Sequence, residues 1–189
     1  MMAELELKAL AKEKLDPKRY AHVLRVVSTS AELAERFGAD EEAAKTAAYL
    51  HDIAKNLSDE ELEHILQEAG EADYLLHSPS VWHAPAGAFL AKTLYNTADP
   101  EILAAIKYHT TGRPAMGLTE AIVFLADYIE PGRKQPGVEQ IREMAKTSLE
   151  RAVAKTLANT VAYLRSTAAG DIHPDTLEAN EHYQRFLET

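Results

Sequence analysis

DEEAAKTAAYLHDIAK, residues 40–55, joins a helix start, a stripe of small residues and two metal-ligand residue types in one stretch. Asp40 stands where a helix N-cap belongs, and Ala43, Ala44, Ala47, Ala48 and Leu50 follow at helical spacing into the adjacent pair His51-Asp52. Alanines on that stripe let neighbouring helices come close around the pair. Consecutive residues of one helix diverge by about 100°. His51 and Asp52 can therefore serve two ions only if the aspartate points between them. A carboxylate has two oxygens and can bridge, whereas a neutral imidazole offers one nitrogen to one metal.

His22 precedes the pair, and the ordered series His83, His109 and Asp127 follows it. Four imidazoles and two carboxylates, with waters completing the shells, suit a two-metal hydrolytic centre. Taken singly, His22 could line a helix, His83 could cap a loop, and His109 could favour the negative end of a helix. Asp127 is different. It lies in AIVFLADYI (121–129), where an ionised carboxylate is costly unless paired or bound to a cation. The ordered set points to metal, where a bare HD dipeptide would not.

Helical period and caps dominate the rest of the chain, and no run alternates like a strand. MMAELELKALAKEKL (1–15) reads as an amphipathic helix and not as a signal peptide. Asp16-Pro17 opens a helix that ends near Gly38, with His22 in its second turn. Ser58-Asp59-Glu60-Glu61 is a capping box whose helix is closed by Gly70. The pattern lapses from Gly70 to Trp82, predicting a loop or short helical turns before His83 and a helix from there through Tyr95. Asp99-Pro100 starts a helix that runs to His109 and stops at TTGRP (110–114). Thr119 opens one that contains Asp127 and ends at Glu130-Pro131-Gly132. Two more are expected near 137–168 and 174–187. The expected architecture is an all-α, single-domain helical bundle over 1–189, with the site motifs within 17–145 and further helices over 146–189.

A chain of 189 residues can bury one full core. Its 46% hydrophobic and 26% charged residues are those of a globular protein, so neither a disordered nor a membrane-embedded class is indicated. The absence of cysteine excludes disulfides, thiolate zinc sites and cysteine nucleophiles, and allows a cytoplasmic location. No apolar run approaches the roughly 20 residues needed to span a bilayer. A net charge of −10 opposes broad binding to nucleic acid or anionic membrane. A small phosphorylated substrate remains compatible, because bound cations can invert the potential inside one cleft. The oligomeric state stays open, a homodimer included.

HDIAK (51–55), WHAPAGA (82–88), YHTTGRPAM (108–116) and ADYIEPGR (126–133) resemble the HD superfamily of metal-dependent phosphohydrolases and, within it, the YqeK family. The resemblance covers about 17–145 and is most specific at HTTGRP and ADYIEP. It implies an HD-type helical bundle, a two-metal centre and symmetrical hydrolysis of diadenosine tetraphosphate to two ADP. Carried over residue by residue, the family's ligands fall on His22, His51, Asp52, His83, His109 and Asp127. The implied division gives one ion His22, His51, Asp52 and Asp127, and the other Asp52, His83 and His109. The resemblance favours iron, while an imidazole-rich site also suits manganese, cobalt or zinc. Two departures are slight: Thr111 is often serine in relatives, and Trp82 before His83 bears only on the pocket wall.

With no cysteine and no evident serine–histidine relay, water is the expected nucleophile, since a metal can lower its pKa from 15.7 to about 7. Asp52 and Lys55 are the expected catalytic residues. Lys55, four residues after His51 and three after Asp52, would share their helical face; it could neutralise a phosphate or simply complement a helix end. Arg25, three after His22, has the same geometry. Arg113 and Arg133 could make bidentate phosphate contacts or be solvated loop charges. Thr110 and Thr111 could offer hydroxyl or N–H groups, or merely end a helix. His64, His77, His173 and His182 fall outside the set, with only His77 near a pocket loop. Trp82, Tyr108 and Tyr128 could stack a base or pack in the core. A base pocket is expected between segments 74–85 and 110–133. Other readings of the same residues are a phosphatase of nucleoside mono- or triphosphates, a di-iron oxygenase, and a metal- or nucleotide-sensing module. The cluster of Arg25, Lys55, Arg113 and Arg133 leans toward phosphate.

Overall fold

The computed structural model describes residues 2–167 and 172–188, and among these it contains helices and no strand. The α-helices are α1 (Glu4–Lys14), α2 (Pro17–Phe37), α3 (Glu41–Leu50), α4 (Asp59–Ala69), α5 (His83–Thr93), α6 (Pro100–Tyr108), α7 (Leu118–Ile129), α8 (Val138–Met144), α9 (Leu149–Ser166) and α10 (Pro174–Gln184). Short 3-10 turns at Ala72–Leu76 and Pro79–Val81 bridge α4 and α5. The caps explain most of the starts. Asp16 Oδ1 accepts from the backbone N–H groups of Lys18 and Arg19 at 2.9 and 3.0 Å. Asp40 accepts from Ala43 N–H at 3.0 Å, and Asp99 from Glu101 N–H at 2.8 Å. Ser58 and Glu61 form the reciprocal box that starts α4. Gly38 and Gly70, at φ 74° and 73°, close α2 and α4 in the left-handed conformation that glycine adopts without strain.

The centre is built from α2, α3, α6 and α7. Helix α2 packs on α3 and α7, α3 on α6 and α7, and α9 covers α7 from the other side. Val23, Val26, Leu50, Ile106, Ile122, Leu125 and Leu157 are fully buried there, each Leu or Ile contributing about 1.5–3 kcal/mol. Ala43, Ala44, Ala47 and Ala48 are all buried, which is how α3 passes through a crowd of helices without displacing them. One core runs from Leu7 in α1 to Tyr183 in α10. A smaller apolar cluster of Ala54, Leu62, Leu66, Tyr74 and Ala86 supports the turns before His83.

Five features differ from the sequence expectation, one of them α10, which ends at Gln184 rather than at 187. Helix α3 stops at Leu50, and His51-Asp52 continue as tight turns closed by i to i+3 bonds, Ile53 N–H to Leu50 O at 3.1 Å and Lys55 N–H to Asp52 O at 2.8 Å. In such winding residues three apart eclipse, so Lys55 keeps the side of Asp52 rather than that of His51 four residues back. Helix α5 ends at Thr93 rather than Tyr95, before the left-handed Asn96 at φ 54°. Helix α7 starts one residue early because Glu120 reaches back to accept from Gly117 N–H at 3.1 Å. The single helix expected over 137–168 is two, α8 and α9, since Ser148 caps a new start by accepting from Arg151 N–H at 3.2 Å. Position 168 itself, and positions 1, 169–171 and 189 of the expected domain, lie outside the described residues. Among the described residues no helix is long and apolar enough to cross a membrane.

Asp16 also accepts from Asn56 Nδ2 at 3.0 Å, tying the start of α2 to the turn beyond Asp52. Asp16→Ala should therefore lower stability by about 1–2 kcal/mol, the upper part of the range for a lost cap. Denaturant titration checks this; an unchanged midpoint would mean that the first turn of α2 holds itself.

Candidate metal centre

Five helices deliver the six side chains singled out by the sequence. His22 comes from α2, His51 and Asp52 from the turn ending α3, His83 from the first residue of α5, His109 from just past α6, and Asp127 from the last turns of α7. They converge. Asp52, 2% exposed, turns Oδ2 toward Nε2 of His51 (3.4 Å) and His22 (3.8 Å). It turns Oδ1 toward Nε2 of His83 (3.2 Å) and His109 (3.7 Å). The two oxygens thus face two different pairs of imidazoles. Asp127 Oδ1 lies 2.9 Å from His22 Nε2, and the Nε2 atoms of His83 and His109 are 3.2 Å apart. Donor atoms of His22, His51 and Asp127 lie within 4.8 Å of one another, as do those of His51, Asp52 and His109. His51 belongs to both groups.

The donor set fits metal. All four imidazoles point Nε2 inward because Nδ1 is engaged outside: His51 Nδ1 donates to Ala48 O at 2.7 Å, His109 Nδ1 to Ile106 O at 2.8 Å, His22 Nδ1 lies 3.1 Å from Glu130 Oε1, and His83 Nδ1 lies 3.1 Å from Lys55 Nζ. A donated Nδ1–H, as in His51 and His109, leaves the lone pair on Nε2, the tautomer a metal ligand needs; at His83 the Lys55 ammonium can only donate, so Nδ1 accepts. Nε2 of His51 and of His22 is buried without a hydrogen bond of acceptable geometry, the close approach of His22 to Asp127 included. Buried polar atoms left so are uncommon and costly. An inward ring of nitrogen and carboxylate donors could hold metal ions of the transition series.

Electrostatics keep both carboxylates anionic and His83 neutral. Burial opposes ionisation of Asp52, but His51, His109 and His83 hold its carboxyl well below the usual range. Burial also opposes ionisation of Asp127, and His22 and Arg133 override it. Burial pushes His83 down to about 4, so that it is neutral near pH 7. For His51 burial is outweighed by the neighbouring Asp52 carboxylate, which raises it. Glu130 is drawn down to about 2 against its burial by Arg25, Gly132 N–H and His22.

The other expected site residues separate into two groups. Lys55 Nζ is beside His83 and 3.4 Å from Ser80 O, its pKa lowered by burial. Arg133 Nη2 meets Asp127 Oδ1 at 2.5 Å and its Nε the Asp127 carbonyl at 2.8 Å. Thr110 Oγ1 is buried without a hydrogen-bond partner. These three stay with the cluster. Arg113 instead makes a fork with Glu120, both contacts 2.6 Å, over the ring of Tyr108. Thr111 is fully buried and donates to Gly112 O at 2.9 Å. Arg25 meets Glu130 at 2.5 Å. Asp127 is not fully buried as expected: its side chain is 20% exposed, at the edge of a cleft. Trp82 donates Nε1–H to Tyr74 O and His77 O at 2.8 and 3.0 Å, pinning the turns that lead into His83.

Sequence reasoning missed Arg19 and Glu130. Arg19 Nη1 donates to Asp52 Oδ2 at 2.9 Å; its position three residues before His22, one turn away on the same face, was the available signal. Glu130 passed for part of a helix stop, although it is 1% exposed.

A cleft of about 870 Å3 opens beside Asp127 and His109, with Tyr128 and Arg133 on one wall and Lys155, Asn159 and Tyr163 of α9 on the other. The pocket expected between 74–85 and 110–133 is thus half right. Segment 110–133 lines the cleft, but the opposite wall is α9, which packs on the helix that carries Asp127. Segment 74–85 lines a separate cavity of about 120 Å3 containing His77 and Ser80, and Thr110, Thr160 and Leu164 border both spaces.

A family model described as HD domain matches residues 19–132. The chain is 44% identical to "Bis(5'-nucleosyl)-tetraphosphatase, symmetrical" of Bacillus subtilis (strain 168), over 90% of this chain and 92% of that protein. A protein of the same name from Halalkalibacterium halodurans is 42% identical over 89% and 90% of the two chains. A solved structure from Clostridium acetobutylicum, described as a predicted HD superfamily hydrolase involved in NAD metabolism, superposes with a TM-score of 0.87 at 34% identity. The match spans 98% of this chain and 99% of that one.

Replacing Asp52 tests the geometry directly. Asp52→Asn substitutes one neutral oxygen for two anionic ones at the point all four imidazoles face. Bound metal, measured by elemental analysis of the purified protein, should fall, while a metal content equal to wild type would remove Asp52 from the centre.

Proposed function

Because this chain belongs to the HD domain family, we propose that it is a two-metal hydrolase of dinucleoside polyphosphates that splits diadenosine tetraphosphate symmetrically into two ADP. The observation that carries the proposal is the Asp52 carboxylate, whose two oxygens address separate imidazole pairs; the names of the similar proteins supply the substrate. His22, His51, Asp52 and Asp127 would hold one ion and Asp52, His83 and His109 the other. Iron is the proposed metal, and the donor set suits manganese, cobalt or zinc as well. Bound metal supplies water acidified toward neutral pH and a sink for charge on phosphate oxygens.

The chain's own groups do the rest. Arg19 donates to Asp52, and Arg133 beside Asp127 helps to keep that carboxylate ionised. Lys55, with Nζ next to His83, presents a cation to the polyphosphate. Thr110, where the two cavities meet, offers a hydroxyl to a phosphate oxygen. Arg113 and Thr111 are turned to Glu120 and Gly112, whereas Lys55 lies beside His83, Arg133 beside Asp127 and Thr110 on the cleft, and these three are the proposed substrate contacts. The cleft volume lies in the range of small-molecule sites, and Tyr128 and Tyr163 give it aromatic walls for a nucleoside. A shift of one phosphate along the metals would carry the base out of register with that cleft, and this selects the bond that is cut. A cytoplasmic place of action completes the proposal, consistent with the lack of cysteine.

Chromatography of early products from diadenosine tetraphosphate should show ADP alone, accumulating at two per substrate consumed. AMP plus ATP would refute symmetrical cleavage, and rapid hydrolysis of simple nucleotides with none of the dinucleotide would replace the proposal with a nucleotide phosphatase. Asp52→Asn should cost at least about 10³-fold in turnover, as for loss of a central catalytic group. Lys55→Ala should lower turnover by about 10²-fold with bound metal retained, because all six donors remain; unchanged kinetics would leave Lys55 a purely structural role.

A further inference from the structure

The four imidazoles differ in what holds the nitrogen facing away from the cluster. His51 and His109 use backbone carbonyls of Ala48 and Ile106, contacts that no side-chain substitution deletes. His83 meets Lys55. His22 alone is held by a carboxylate, with Nδ1 3.1 Å from Glu130 Oε1. Glu130 is 1% exposed, and a buried carboxylate is destabilising unless its lone pairs are used. Here they are: Arg25 Nε donates to Oε2 at 2.5 Å, Arg25 Nη2 to Oε1 at 3.2 Å, and Gly132 N–H to Oε2 at 2.5 Å.

The loop carrying Glu130 is itself fixed. Arg142 from α8 donates Nη2 to the carbonyls of Glu130 and Arg133 at 2.7 and 3.0 Å, and Nε to Ile129 O at 2.8 Å. Gly132 has a further constraint. A Cβ at that position would lie 2.6, 2.8 and 2.9 Å from Nη2, Nε and Cζ of Arg25, closer than such atoms approach, so only glycine lets the guanidinium lie against the loop. The chain from Gly132 through Arg25 and Glu130 to His22 is continuous.

We propose that Glu130, aligned by Arg25 and Gly132, is a positioning residue that fixes the ring orientation and tautomer of His22 so that Nε2 is presented as a metal donor. On this account Arg25 acts through Glu130 and not on phosphate. A carboxylate accepting Nδ1–H from a ligand histidine both stops ring rotation and raises the basicity of the other nitrogen. The proposal rests on the metal-centre reading and extends it to residues that touch neither metal nor substrate.

Calorimetric titration of the metal-free protein with Mn2+, without nucleotide, tests it. Arg25→Ala and Gly132→Ala should each weaken by about 10- to 100-fold the binding step that needs His22, leaving the other step near its wild-type value. Glu130→Gln, which keeps an acceptor oxygen but loses the charge facing Arg25, should have a smaller effect than Glu130→Leu. Melting temperatures of the metal-free variants provide the control, and Arg25→Ala, at a half-exposed residue, keeps the test open if a Glu130 variant does not fold. Wild-type affinity in both Arg25→Ala and Gly132→Ala would overturn the proposal, the more so if Arg25→Ala raised KM for nucleotide. Equal loss at both steps with a lowered melting temperature would also overturn it, as general loosening. Wild-type protein that takes up no ion would sink the metal-centre reading, and is recognised separately because it needs no variant.

Discussion

An ionised carboxylate buried among packed helices must be surrounded by groups that stabilise its charge, and Asp52 sets that demand for this molecule. Four imidazoles and Arg19 meet it. Because those groups come from α2, the end of α3, α5 and α6, the helices cannot be shifted independently without stranding the charge. The alanines of α3 follow from the same demand, since only small side chains let four neighbours close around one helix end. The turns past Leu50 set His51 and Asp52 at the end of α3, and Asp52 Oδ2 lies 3.4 Å from His51 Nε2.

Around this centre the orientation of each histidine is assigned to a different kind of partner. Two rings are held by backbone carbonyls at the ends of their own helices, so their geometry comes with the helix. Of the other two, His22 is held by Glu130, a side chain brought from elsewhere, while His83 lies beside Lys55. Backbone-held rings are robust to substitution, while side-chain-held rings are where the sequence can tune the site. Arg19, Arg25, Lys55 and Arg133 gather around the cluster of a chain whose net charge is −10, set against Asp52, Glu130, His83 and Asp127.

Helices α9 and α10 have no motif, yet α9 forms one wall of the cleft through Lys155, Asn159 and Tyr163. It can do so because it packs on α7, which carries Asp127. Walls of this kind are made of ordinary polar residues on a helix face and leave no signature. Their role follows from which helix they are packed against.

The sequence by itself determined the helices and the donor inventory. Asp16-Pro17, Asp40, the Ser58 box, Gly38 and Gly70 act on backbone groups within a turn of themselves, so their effect is readable locally; Ser148 escaped only because apolar spacing runs on across it. His22, His51, Asp52, His83, His109 and Asp127 were legible because few roles suit that ordered set of residue types. What only the tertiary structure decided is which charge meets which. Arg113 turned to Glu120 and Arg25 to Glu130, and Arg19, unnoticed in the sequence, took a contact with Asp52. Glu130 lies 108 residues from the histidine it contacts. Hydrogen bonds and ion pairs act over a few ångströms, and separations that short between such distant residues exist only after the helices have packed.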